Sequence, residues 1–404
     1  MPKSKTINNS LEHDSAYLHV TGKAMYVADI PKSNDTLEIV FGLSEISHGE
    51  IKSIDLSEVE QSNGVCKVLT YKDIPGVNDV SPIFGDDPLF VEKKILYHGQ
   101  VIFAVVANNI KNATLAVKKA KIFYKHLPPI ITINDAIKNN SYLEKTDKIL
   151  RGHPKKSIAD STHKISDEIE IGGQEHLYLE GQAALAVPGE NNDISIFVSS
   201  QHPTEIQHKV AEVLNLPNHS INVEVRRMGG GFGGKESQGN ILACACGLAA
   251  HILKHPVRLV YDRDDDMKIT GKRHDFLIKY KVGFEDNGKI NGIIFEQFLR
   301  CGMSYDLSKA IAGRAMMHAD NAYQIDNIQI SSNLCKTNTP SNTAFRGFGG
   351  PQGMIGIERI MDHISFYLNK NPVEIRKINF YQDYFKNNFG TTPYNQKVKD
   401  CIIQ

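Results

Sequence analysis

From Tyr17 to about Pro129 the apolar positions fall in short alternating runs broken by one stretch at helical spacing. Leu37 to Ser44 and Gln100 to Ala107 read as strands. Asn109 to Lys119 places Ala113, Ala116, Val117 and Ala120 on one helical face, and Ile122 to Tyr124 reads as the strand that follows. The pattern predicts a small α+β domain over 17–133, behind an N-terminal tail of 1–16. The polar stretch 134–160, with charges clustered between Lys145 and Lys156, reads as a linker.

A second domain is expected over 161–404. Glu168 to Ile171, Leu185 to Val187 and Ile194 to Ser199 read as strands. Thr204 to Leu214 reads as a helix buried through Ile206, Val210, Val213 and Leu214, with Thr204 and Gln207 at capping-box spacing. The alternating Ile221, Val223 and Val225 lead into a run of glycines and then an apolar helix from about Gln238 to Leu253. Phe276 to Phe284 and Ile290 to Phe298, joined through Asp286-Asn287-Gly288, predict a β-hairpin. Pro351 can start a helix that is buried through Met354, Ile357, Met361, Ile364 and Leu368.

Composition narrows the function classes. Two cores are affordable in 404 residues that are 41% hydrophobic. Lys+Arg 46 balance Asp+Glu 46, so no electrostatic footprint argues for nucleic acid or a membrane surface. The longest apolar run, Ile241 to Leu253, is shorter than the ~20 residues of a membrane span. Six scattered cysteines contain no CxxC pair, which fits neither a disulfide scaffold nor a zinc ribbon; a cytoplasmic setting is expected.

The chemistry is carried by two glycine-rich segments. Gly229-Gly230-Gly231-Phe232-Gly233-Gly234-Lys235-Glu236 satisfies GxGxxG and the first seven positions of a P-loop. Glu236 stands where a P-loop needs a hydroxyl for Mg²⁺, so a nucleotide site at Gly229 to Lys235 is only an alternative. Glycines at this density leave backbone N–H groups open to close approach by a bulky anionic ligand. Asn342-Thr343-Ala344-Phe345-Arg346-Gly347-Phe348-Gly349-Gly350-Pro351-Gln352 adds a cation between aromatics; taken alone, Arg346 reads as a surface arginine stacked on Phe345, but two such loops in one domain argue for a pocket. Flat rings, bare backbone and a cation together suit a planar heteroaromatic ligand. Cys244 and Cys246 lie in the apolar helix and read as core.

With these motifs the chain resembles the molybdenum hydroxylases, the family of the xanthine dehydrogenases and aldehyde oxidases. The resemblance runs from Gly22-Lys23-Ala24 and Tyr26-Val27-Ala28-Asp29-Ile30-Pro31, through Gly172-Gly173-Gln174-Glu175-His176 and Ser200-Gln201, to both glycine loops and Lys336-Thr337-Asn338. It implies an α/β hammerhead domain followed by the first molybdopterin-binding domain. It further implies hydroxylation of a ring carbon, with oxygen taken from water and two electrons passed to molybdenum. The metal would be held by the pterin's sulfurs, which accounts for glycine loops without a Cys/His ligand cluster.

Residue by residue, the resemblance places Gln201 beside a molybdenum oxygen ligand and Phe232, flanked by Gly231 and Gly233, beside the metal centre. Arg346 is placed near pterin and metal, and Phe348 on the substrate ring. Glu236 would hydrogen-bond a purine, and Arg314 would stabilise charge developing on the purine oxygen. Together Glu236 and Arg314 imply hypoxanthine and xanthine, oxidised to urate, in preference to an aldehyde or another N-heterocycle.

The family's glutamate base, in a G-x-G-E sequence of a second cofactor-binding domain, has no counterpart after Gln352. A fragment inactive alone is therefore expected, with a non-catalytic remnant as the alternative and Val398, Cys401 and Ile402 as a helix face cut short. FAD and 2Fe-2S centres are expected on a partner subunit of a heteromeric, dimerised assembly.

Overall fold

The computed structural model describes residues 10–381; Val398, Cys401 and Ile402 lie outside the described residues. Three sheets organise the described residues. The largest has seven strands in the order Ile221–Glu224, Ile194–Val198, Ala183–Pro188, Val257–Val260, Leu37–Leu43, Val101–Ala107 and Val65–Leu69. Its last three strands come from the first region and its first four from the second. The join is a short parallel pairing in which Leu37 faces Val257 and Glu38 faces Arg258. One core consequently contains residues of both regions, Ile39, Phe41 and Val106 packing with Ile196, Val210 and Leu248. A three-stranded sheet, Lys94–Ile95, Gly49–Asp55 and Lys121–His126, completes the first region.

The helices Pro203–Leu214 and Gly239–Leu253 pack on each other and on the seven-stranded sheet. Gly247 lets them approach: a Cβ there would lie 3.0 Å from Val210 Cγ1. Cys244 and Cys246 are fully buried in this contact, and burial pushes both thiols up, as the core reading requires. The capping box is not formed. His202 is the N-cap and makes no side-chain cap bond, while Gln207 donates to the carbonyls of Asn218 and Ile221 and so ties the helix to the strand after it.

A five-stranded sheet, in the order Asp147–Arg151, Ile328–Lys336, Ile290–Gly302, Phe276–Phe284 and His163–Ile171, forms the second layer. The helix Gly350–Leu368 buries Ile357, Ile360, Met361 and Ile364 against it. The expected hairpin is present, with Gly288 at φ +91° in its turn. The stretch read as a linker is structured instead. It contains the helix Ile133–Lys138, the edge strand Asp147–Arg151 and the helix Pro154–Asp160. Its charges misled because the edge strand keeps Asp147 and Lys148 in solvent, and because Pro154–Asp160 is a short helix that packs where Gly283 and Gly292 leave room.

Candidate functional site

The two glycine loops come from different layers and meet. The first joins the strand Ile221–Glu224 to the helix Gly239–Leu253; the second precedes the helix Gly350–Leu368. Arg346 N–H donates to the Phe232 carbonyl at 2.8 Å. Gly233, at φ +101°, lies so close to the second loop that a Cβ would be 2.7 Å from the Ala344 carbonyl carbon and oxygen. Glycine is required here both for the left-handed backbone and for the approach.

Gln201 braces the first loop. Its Oε1 accepts from the N–H of Gly233 at 2.9 Å and of Lys235 at 3.4 Å, and its own N–H donates to Lys235 O at 2.7 Å. A Cβ on Gly231 would lie 2.4 Å from that Oε1. Phe232 stands at the crest with φ +55°, half of its surface exposed. Three donors are left without a protein partner among the described residues: Gln201 Nε2, the Phe232 N–H and the exposed Arg346 guanidinium. Such a set suits an oxygen-rich, anionic ligand. No cluster of His, Cys, Asp or Glu able to hold a metal occurs among the described residues.

Lys235 does not face a ligand. It is fully buried, its Nζ donating to Glu180 O at 2.7 Å and Ser199 Oγ at 2.8 Å and pairing with Glu180 Oε2 at 3.3 Å. The ammonium also lies 4.5 Å from the centroid of the Tyr178 ring. Burial pulls its pKa down, against the opposing pull of Glu180. Glu180 Oε2 in turn accepts from Gly229 N–H at 2.6 Å and from Ser199 Oγ at 2.7 Å, so the pair pins the loop from below. This removes the P-loop reading, in which the lysine must reach phosphates.

Glu236 is half-buried, and burial raises its pKa; His202 opposes that shift and Glu205 adds to it. His202 and Glu205 are themselves paired at 3.1 Å. The carboxyl therefore keeps its proton to higher pH than a solvated glutamate. Because a protonated His202 favours the Glu236 anion, His202→Gln should move the Glu236 titration upward, and Glu205→Gln should move it downward. A carboxyl-detected NMR titration checks this; a His202→Gln chain with an unmoved Glu236 midpoint would contradict it.

Arg314 is exposed on the helix Ser308–Met317. That helix is linked to both loops. Asp306, just before it, accepts from Ser237 Oγ beside Glu236, and its Ile311 carbonyl and Arg314 Nε lie where Cβ atoms on Gly349 and Gly350 would point. Glu236 lies in the loop before the helix Gly239–Leu253 and Arg314 on the helix Ser308–Met317, so the two expected purine contacts come from separate elements. Phe348, at φ +50°, is half-buried between Gly347 and Gly349. Arg346 does not stack on Phe345. Arg273 takes that place, 3.9 Å from the ring centroid, and the carbonyl of Arg346 accepts from its Nη2 at 2.9 Å.

The family described as the molybdopterin cofactor-binding domain matches residues 133–380, and the a/b hammerhead domain of aldehyde oxidase and xanthine dehydrogenase matches residues 21–128. The chain belongs to the xanthine dehydrogenase and aldehyde oxidase family. It is 42% identical over 398 residues to the xanthine dehydrogenase/oxidase of Mus musculus, covering 98% of this chain and 29% of that protein. It is 40% identical over 403 residues to the xanthine dehydrogenase of Dictyostelium discoideum, covering 100% of this chain and again 29% of the relative. The chain thus spans under a third of the length of these relatives. Among solved structures, an aldehyde oxidoreductase from Desulfovibrio gigas superposes with a TM-score of 0.88 at 26% identity, over 97% of this chain and 45% of that one.

Sequence reasoning missed Glu180, Tyr178, Arg273 and Asp306. The missed residues act from beneath the loops, at sequence distances that no local pattern spans.

Proposed function

We propose that this chain supplies the glycine-loop wall of the site for a molybdenum–molybdopterin cofactor, in an enzyme that hydroxylates hypoxanthine and xanthine to urate. The observation that supports the reading is the bond from Arg346 N–H to the Phe232 carbonyl, with Gln201 Oε1 accepting from Gly233 N–H, which ties the segments carrying Gln201, Phe232 and Arg346 together. The cofactor, when bound, would take up the two electrons of the oxidation. The chain's own residues bind and orient: Gln201, Phe232 with Gly231 and Gly233, and Arg346 face the cofactor, and Phe348 offers a ring for the substrate to stack on.

Glu236 and Arg314 are the substrate-directed pair. Burial raises the pKa of the half-buried Glu236 carboxyl; ionised it accepts, and protonated it also donates, which suits a ring bearing both kinds of edge. Arg314 supplies the charge that favours electron density gathering on the purine oxygen, a contribution worth about 3 kcal/mol in the barrier for one preorganised donor. FAD and 2Fe-2S centres on a partner subunit would accept the electrons, within a heteromeric and dimerised assembly.

In the whole enzyme that contains this chain, Glu236→Ala and Arg314→Met should each lower kcat/KM for xanthine by about 100-fold while lowering that for an aldehyde by much less. Equal losses on both substrates would overturn the purine assignment and favour the aldehyde reading.

A further inference from the structure

We infer that His176, Phe345 and Arg273 form a three-layer positioning clamp that fixes the direction of Arg346 and locks the two glycine loops together. Its consequence for turnover rests on the cofactor reading above; the clamp itself rests on geometry alone.

The His176 and Phe345 rings lie 4.5 Å apart between centroids at an interplanar angle of 30°, and Arg273 Cζ lies 3.9 Å from the centroid of the same Phe345 ring. Two planar groups that close cannot share one face, so they sandwich Phe345. Each outer layer also holds backbone. His176 Nε2 and the Ala344 carbonyl are 2.8 Å apart, and Arg273 Nη2 donates to the Arg346 carbonyl at 2.9 Å. Arg273 is anchored in turn by Gln174, through Nε to Oε1 at 2.8 Å and through its N–H to the Gln174 carbonyl at 2.9 Å.

His176 belongs to both loops. Besides its contact with Ala344 and Phe345, its ring would lie 2.6 Å from a Cβ on Gly234 of the first loop. Because a carbonyl oxygen only accepts, His176 Nε2 is the donor in its 2.8 Å contact with Ala344 O, and burial pulls the ring's pKa down. The chain after Arg346 closes on itself through Phe348 N–H to Phe345 O at 2.7 Å and Gly350 N–H to Gly347 O at 3.0 Å, bonds that leave the Arg346 N–H and carbonyl to partners outside the turn. Gly347, Phe348 and Gly349 sit at φ +96°, +50° and +89°, three left-handed residues in succession. Arg346 therefore takes its direction from outside anchors: its N–H on the Phe232 carbonyl, its own carbonyl on Arg273, and its neighbour Phe345 in the sandwich.

Hydrogen exchange of the Arg346 amide, measured on this chain, reads the clamp without a cofactor. Arg273→Met removes the planar cation and the donor, and Phe345→Leu removes the middle layer. Both should speed Arg346 exchange by about tenfold or more while exchange in the helix Gly239–Leu253 stays unchanged. Phe345→Tyr, which keeps the stack, should restore slow exchange. Should Phe345→Leu fail to fold, Arg273→Met decides, because Arg273 is half-exposed. Wild-type exchange at Arg346 in a folded Arg273→Met chain would overturn the proposal. In the whole enzyme, Arg273→Met should lower kcat for xanthine and aldehyde alike, with KM little changed. Fast Arg346 exchange with undiminished kcat would leave the clamp standing and discard the cofactor-facing role of Arg346 instead.

Discussion

Lys235→Met is expected to destabilise the folded chain by about 3–5 kcal/mol, the cost of breaking one side of a buried ion pair. The lysine is fully buried, and its ammonium supplies the cation beside Glu180 as well as donors to Glu180 O and Ser199 Oγ. Methionine fills much of the volume but leaves the Glu180 carboxylate without its cation beneath the first glycine loop. Glu180→Gln in the same chain should recover part of the loss, because the carboxamide oxygen can still accept from Gly229 N–H and carries no charge. Urea denaturation of the single and double variants checks this. A P-loop lysine would behave in the opposite way, with little change in stability and a loss confined to nucleotide binding.

The second large effect is expected at Gly233→Ala. The added methyl would meet the Ala344 carbonyl group at 2.7 Å and Phe345 N at 2.9 Å, in a backbone at φ +101° that an L-residue rarely adopts. Left-handed strain alone costs about 1–2 kcal/mol, and the contact with backbone cannot be relieved by turning a side chain. The two loops must separate, which lengthens the bond from Arg346 N–H to Phe232 O. A stability loss of about 2–4 kcal/mol follows, with loss of molybdenum from the whole enzyme. Gly172→Ala is the control, since a Cβ there meets nothing within 4 Å. Equal stability of the two variants would show that the loops are not in obligatory contact.

Much of the fold was legible because burial follows period. The helix Gly239–Leu253 lies where the apolar pattern put it; in Gly350–Leu368, Ile357, Met361 and Ile364 are buried as expected, while Met354 and Leu368 are only partly covered and Ile360 is buried as well; the hairpin at Asp286-Asn287-Gly288 follows from its turn residues. The segment 134–160 was misread because an edge strand and two short helices bury too little apolar surface to print a pattern. Pairing of Leu37–Leu43 with Val257–Val260 crosses the whole first region, and no local signal encodes a contact at that separation. At the site, the glycines announced close approach but not what approaches. Gly233 meets Ala344, and Gly231 meets Gln201, so the bare backbone serves loop-to-loop packing as well as any ligand. Arg273 displaced Arg346 from the Phe345 ring because only the folded chain brings the strand entry at 273 beside the second loop.

The most direct test of the account is the anomalous scattering of molybdenum in crystals of the whole enzyme that contains this chain. The account predicts a molybdenum peak on the surface formed where Phe232 meets Arg346, with the cofactor's oxygen atoms in hydrogen-bonding reach of Gln201 Nε2 and the Phe232 N–H. A molybdenum peak remote from both glycine loops would contradict it.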